Sequence, residues 1–302
     1  MKFILTALLL LTAGTSFADA FDGELKIDGV RRTFHFYSPD DLPEGKRYPL
    51  VIMLHGGYGT GAQMPRFTKF NTLADRDSFL VVYPDGWKKH WNDHRYGEDL
   101  QKDKKDDVKF ISVLIDYLIR KHQVDSTHVF VAGISNGAMM SLYLAQELPQ
   151  KIRAIAPVCG SIPENYFSSY HLPVSISIMI INGTDDPLVH YTGGPIGKSG
   201  WQRGAVAHTD SMVKKLVLLN QCAEHDSVFS FPDINLKDQC VASKFIWKCG
   251  QSEIQFIRIK GGGHTWPGGL QYLPKYQVGR VCRDFNATSE IWNFFQSQPP
   301  RQ

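Results

Sequence analysis

An α/β fold with a mostly parallel central sheet, helices on both faces and an N-terminal antiparallel hairpin is what this 302-residue sequence predicts. Three observations carry that expectation. Apolar runs of strand length recur at residues 50–54, 79–83, 128–132, 152–158 and 174–181 without polar alternation, as strands buried on both faces require. Stretches with helical spacing separate several of these runs, so strand and helix alternate as in a doubly wound sheet. Ahead of them, residues 25–27 and 33–37 flank Asp28-Gly29, the short-range signature of a hairpin turn.

The chain opens on Met-Lys, an apolar run over residues 3–11 and then small and polar residues ending in Ala18-Asp19-Ala20. Residues 1–20 read as a signal peptide, with the mature chain starting near Asp19 or Phe21. The apolar run falls short of the roughly 20 residues a membrane-spanning helix needs. A secreted protein is therefore expected, extracellular or periplasmic, with residues 21–302 forming one catalytic domain and no membrane partner.

Composition narrows the function classes. The chain is 43% hydrophobic and 21% charged with a formal net charge of +3, which is ordinary globular composition. Its Lys and Arg are spread among Asp and Glu, so no nucleic-acid partner is expected.

The clearest helical stripe is Val108, Ile111, Leu114, Ile115 and Leu118, with Asp106 and Asp107 at its start, where carboxylates complement the helix dipole. Further helices are expected over about 136–147 and 205–219. Residues 220–249 interrupt the rhythm and read as a disulfide-tied excursion. Five cysteines, Cys159, Cys222, Cys240, Cys249 and Cys282, leave at least one free. Cys222 and Cys249 bracket what reads as a small lobe, Cys240 and Cys282 are the next pair, and Cys159 at a strand end reads as a buried thiol. Spacing alone does not fix the connectivity.

Ligands in such folds bind beyond the carboxyl ends of the strands. There, Gly133-Ile134-Ser135-Asn136-Gly137 follows the run 128–132 and precedes a helix. This is G-x-S-x-G in the strand-turn-helix setting that projects a nucleophile, as in α/β-hydrolases. A serine hydroxyl needs a base. Of eleven histidines, His264 stands after the strand-like run 254–259 in a glycine-rich loop and completes the order Ser, acid, His. The acid should follow another strand, and Asp185-Asp186-Pro187 offers two carboxylates. Asp186 is the expected partner of His264, with Asp185 as a turn residue. His55-Gly56-Gly57-Tyr58 follows the first central strand, where the second oxyanion donor belongs; the donors are then Asn136 N–H and that of Gly57 or Tyr58. Trp87, Trp91 and Trp266 are the candidate substrate-binding residues. Asn286-Ala287-Thr288 matches a glycosylation sequon and also opens the last helix; no function is assigned to it.

Taken in order, Leu54-His55-Gly56-Gly57, Tyr83-Pro84-Asp85-Gly86 followed by Trp91-Asn92, Asp106-Asp107-Val108, Gly133-Ile134-Ser135-Asn136-Gly137-Ala138-Met139-Met140, Asn182-Gly183-Thr184-Asp185-Asp186-Pro187-Leu188-Val189 and Gly262-Gly263-His264-Thr265-Trp266-Pro267 resemble the polyhydroxybutyrate depolymerase and feruloyl esterase family of secreted α/β-hydrolases. Two places depart from it: Asn182 stands where members usually have His, and His190 where they often have Pro. The resemblance implies carboxylic-ester hydrolysis with no metal and no organic cofactor, Ser135, Asp186 and His264 as the triad, and a Cys222–Cys249 disulfide. The expected substrates are feruloyl or acetyl esters of polysaccharide, or short polyhydroxyalkanoate esters. The rival reading is a secreted binding protein on an inactive hydrolase scaffold, which a broken triad would mark.

Overall fold

The computed structural model describes residues 20–95, 105–197, 203–223 and 227–301. The signal-peptide assignment lies outside them. Twelve strands occur among these residues: β1 (Phe21–Ile27), β2 (Val30–Tyr37), β3 (Tyr48–Leu54), β4 (Leu80–Pro84), β5 (Val124–Ile134), β6 (Ala154–Val158), β7 (Ser177–Gly183), β8 (Gly194–Pro195), β9 (Ala205–Val206), β10 (Ser227–Ser230), β11 (Val241–Cys249) and β12 (Ser252–Lys260). Ten of them form one sheet in the order β1-β2-β4-β3-β5-β6-β7-β12-β11-β10, while β8 and β9 make a small separate pair.

The centre of the sheet, from β4 to β12, is parallel, and both margins are antiparallel. This is the α/β-hydrolase architecture. Along β3, Leu50, Ile52 and Leu54 enter one apolar cluster and Val51 and Met53 the opposite one. Along β5, Val129 and Val131 divide from Phe130 and Ala132 in the same way. The two-residue period of a strand thus sends apolar side chains to both faces, which is why these runs lack polar alternation.

One face is covered by helices Asp107–Lys121, Asn136–Glu147 and Thr209–Leu219, the other by Phe70–Asp77 and Ala287–Gln296. Helix 107–121 starts where its composition predicts, with the Asp106 carboxylate accepting the Lys109 N–H at 2.8 Å. The last helix is capped by Asn286, whose side chain accepts from Ser289 N–H. A buried ion pair, Arg32 Nη2 to Asp107 Oδ1 at 2.5 Å, ties β2 to helix 107–121.

Two expectations change. The helix expected from 205 starts at Thr209, because 205–206 pair with β8. Residues 220–249 do not leave the sheet as a lobe, since 227–230 and 241–249 add two antiparallel strands to its edge. The pattern was hidden because an exposed edge strand such as β10 carries no buried apolar run. Cys222 and Cys249 are disulfide-bonded; Cys159, Cys240 and Cys282 are buried thiols. Among the described residues no helix is long and apolar enough to cross a membrane.

Candidate active site

Ser135 occupies the junction of β5 and helix 136–147 with φ 59° and ψ −119°, a strained backbone for a residue with a side chain. The flanking glycines have a steric reason. A Cβ on Gly133 would lie 2.3 Å from the Gly137 carbonyl oxygen, and one on Gly137 would lie 2.5 Å from that of Leu54. The tight turn lifts Ser135 to the floor of a cavity of about 560 Å³ and leaves Asn136 N–H at the positive end of a helix.

The loop after β7 supplies Asp186, which is buried, while Asp185 is exposed. One carboxylate oxygen of Asp186 accepts the backbone N–H groups of Leu188 and Val189, each at 2.8 Å, and the other meets His264 Nδ1 at 2.7 Å. Since the carboxylate can only accept, Nδ1 carries the proton and Nε2 is left with its lone pair. His264 is held by its own N–H on Val278 O at 2.6 Å and by the Tyr272 hydroxyl on its carbonyl at 3.0 Å. The preceding glycine lets two backbones touch, because a Cβ on Gly263 would fall 2.3 Å from Val278 O. Ser135 and His264 line the same cavity. No Ser135–His264 hydrogen bond is formed among the described residues; nucleophile–base pairs are commonly looser before substrate enters.

The Gly56-Gly57 turn packs on this elbow, a Gly56 Cβ position lying 3.5 Å from Ser135 Cβ and that of Gly57 3.8 Å from Asn136 Cβ. Tyr58 N–H donates to Lys89 O at 2.9 Å, so that donor is already engaged. Below the turn, His55 is fully buried in one tautomer: Nδ1–H donates to Gly56 O at 2.7 Å and Nε2 accepts Gly86 N–H at 2.9 Å. Burial holds this imidazole below its ordinary value, against the raising effects of the Gly56 bond and Asp85.

None of the three candidate tryptophans lines the cavity. Trp91 is 1% exposed and donates from Nε1 to His55 O at 2.9 Å. Trp266, also 1% exposed, donates to Thr288 Oγ1 at 2.9 Å and packs toward Phe67 and Phe70. Trp87 is half-buried, with Lys105 over its ring. Indole burial stabilises the scaffold here; the aromatic part of the cavity is Tyr58, Phe67 and Tyr272, with Met64, Leu188, Val189 and Ile196 as apolar wall. Tyr58, Leu188 and Val189 lie in motifs already singled out, but Met64 and Phe67 on the short helix Met64–Thr68, Ile196 and Tyr272 carried none.

Sequence reasoning also missed the polar supports. Asp93, fully buried, accepts from Asn136 Nδ2 at 2.7 Å. Asn182, one of the departures, clamps Gly160 by accepting its N–H at 3.2 Å and donating to its carbonyl at 2.9 Å. The Cys159 thiol, pushed up by burial and then by Asp186, donates to Thr265 O at 3.3 Å.

The profile of the family described as esterase PHB depolymerase matches residues 33–190, which include the elbow, the His55-Gly56-Gly57 turn and the Asp186 loop. The chain belongs to that family. Membership makes this esterase a carboxylic ester hydrolase. NocK of Nocardia uniformis subsp. tsuyamanensis, named as an esterase, is 27% identical over 282 residues, 90% of this chain and 81% of that protein. A bifunctional acetylxylan esterase/xylanase of Neocallimastix patriciarum is 30% identical over 165 residues, 54% of this chain and 22% of that one. Feruloyl esterase B of Thermothelomyces thermophilus is 29% identical over 128 residues, 42% of this chain and 43% of the enzyme. The chain thus spans less than half the length of the latter two. Among solved structures, acetyl xylan esterase from Aspergillus awamori superposes with TM-score 0.57 at 16% identity, covering 81% of this chain and 94% of that one, a likeness of fold.

Proposed function

We propose that this esterase is a secreted serine hydrolase that works through an acyl-enzyme. The observation carrying the reading is the Asp186–His264 pair at 2.7 Å in the cavity onto which the strained Ser135 elbow opens. His264 Nε2 takes the proton of Ser135 as Oγ attacks the ester carbonyl. Asp186 fixes the tautomer and stabilises the imidazolium without itself being protonated. The developing oxyanion takes hydrogen bonds from Asn136 N–H and Gly57 N–H, Tyr58 N–H being engaged by Lys89. Each such donor is worth about 3 kcal/mol in the transition state. His264 then protonates the leaving alcohol, and water repeats the sequence on the acyl-Ser135 bond.

Feruloyl or acetyl esters of polysaccharide and short hydroxyalkanoate esters are the proposed substrates, in line with relatives named feruloyl esterase, acetylxylan esterase and poly(3-hydroxyalkanoate) depolymerase. The test is kcat/KM on methyl ferulate, an acetylated xylo-oligosaccharide and a soluble 3-hydroxybutyrate trimer, with Ser135→Ala as control. Serine-dependent turnover of at least one supports the reading. Turnover of none overturns the substrate reading; fluorophosphonate labelling that survives in Ser135→Ala removes Ser135 as nucleophile, and no labelling of the native protein favours a binding protein.

A further inference from the structure

We propose that Cys240 and Cys282 are the site of a covalent modification, oxidation to a second disulfide that braces the His264 loop from behind. Both residues are buried, 0% and 1% exposed, and their sulfurs lie within 4.8 Å of each other. A disulfide needs about 2.05 Å between sulfurs, so the bond requires the two side chains to move together. The two backbones are already in register, because one buried carboxylate holds both: Asp238 Oδ1 accepts Cys240 N–H and Oδ2 accepts Arg283 N–H, each at 2.9 Å.

The position gives the cross-link its consequence. Cys240 immediately precedes β11, which pairs with β12, the strand leading to His264. Cys282 ends the segment on which the His264 loop leans: Gly263 N–H donates to Arg280 O at 2.9 Å, His264 N–H to Val278 O at 2.6 Å and Gly268 N–H to Cys282 O at 2.8 Å. A bond between the two sulfurs closes a frame around the general base. Cys159 differs in its neighbours: its sulfur clusters with Asp186 and His264 and not with another thiol, whereas Cys240 and Cys282 cluster with each other and Asp238; the five cysteines then resolve into two bonds and one thiol.

The step requires export, and so rests on the secretory reading above. Two thiols give up two protons and two electrons to the disulfide of a dithiol oxidase, which leaves as a dithiol. Contact with Cys240, then burial, pushes the Cys282 thiol up, so exchange in the folded protein is slow and the bond forms during folding.

The test takes protein exported by its own leader, denatured in iodoacetamide without reductant and mapped by mass spectrometry. The expected result is alkylation of Cys159 alone, with 222–249 and 240–282 recovered as linked peptides. Linkage of 222–249 with Cys240 and Cys282 both alkylated overturns the inference and leaves the export reading standing; alkylation of all five cysteines removes both. One zinc per chain bound through alkylatable Cys240 and Cys282 also overturns it, making the cluster a metal site. Serine variants add a coupling test. Cys240→Ser, Cys282→Ser and the double variant should each lower Tm by the same amount, about 5 °C or more, and shorten the thermal half-life of ester hydrolysis equally; additive losses contradict the bond.

Discussion

Asn136 and Trp91 hold each other by two hydrogen bonds, Trp91 N–H to Asn136 Oδ1 at 2.7 Å and Asn136 Nδ2 to Trp91 O at 3.1 Å. The residue after Ser135 is thereby fastened to the loop whose Gly86 and Lys89 hold the His55-Gly56-Gly57-Tyr58 turn, and the same amide reaches Asp93. Asn136→Ala should leave the buried Trp91 N–H and C=O unpaired and take one partner from Asp93, whose Oδ2 keeps Arg95 Nε at 3.2 Å. That costs about 2–4 kcal/mol of stability, and the oxyanion donors lose their alignment. Urea unfolding together with kcat on p-nitrophenyl butyrate measures both, with kcat expected to fall at least about tenfold. A variant with unchanged kcat would mean that the amide only holds the scaffold.

Asp186→Asn keeps the acceptor for Leu188 and Val189 but places either an amide donor or a weaker acceptor against His264 Nδ1. The imidazole tautomer that leaves Nε2 free is then lost. The expected fall in kcat is about 10³–10⁴ with little change in Tm. Asp185→Asn, at an exposed carboxylate, should retain near-normal turnover.

Arg32 and Asp107 form a buried pair, and Asp107 also accepts Asn92 N–H at 2.6 Å. Arg32→Ala strands a carboxylate in the interior, at a cost of about 3–5 kcal/mol, a fall of roughly 10 °C in Tm. Burial already raises the Asp107 carboxyl, against the lowering by Arg32. Without Arg32 protonation relieves the buried charge, so the deficit should shrink as pH is lowered. Calorimetry at two pH values reads that trend.

His55 gives stability a pH dependence of definite sign. Its folded-state pKa is lowered, by burial first, so the unfolded chain takes up the proton earlier as pH falls below about 6.5. Stability is therefore fully present above that value and declines below it until the folded-state pKa is passed, by up to about 1.4 kcal/mol per pH unit for one proton. Burial lowers His90 as well, adding in the same direction. Denaturation midpoints from pH 7.5 to 5 should show a slope that His55→Asn makes shallower; an unchanged slope would refute the assignment.

The chain itself determined the parts of this protein that depend on neighbours in sequence. Gly133, Ser135 and Gly137 are legible because the elbow is a local steric solution, and the apolar runs of β3 and β5 because a strand between two helical layers has no polar face to show. Asp106 and Asn286 cap their helices within three residues of themselves. Ser135, Asp186 and His264, the proposed triad, are picked out from strand ends and chain order, which the topology of parallel strands makes informative.

Tertiary structure alone decided what depends on contacts distant in sequence. Trp91 and Trp266 are as aromatic in the sequence as any pocket residue, and only packing sends their indoles to His55 O and Thr288. That the Tyr58 N–H is engaged, which favours Gly57 as the proposed donor, depends on the Lys89 carbonyl, 31 residues from Tyr58. Cys240 meets Cys282 because β11 joins the sheet edge beside the segment supporting the His264 loop. Local backbone sterics act on a few consecutive residues and leave a motif. Packing and hydrogen-bond partnership across the sheet are set by the whole fold, and leave none.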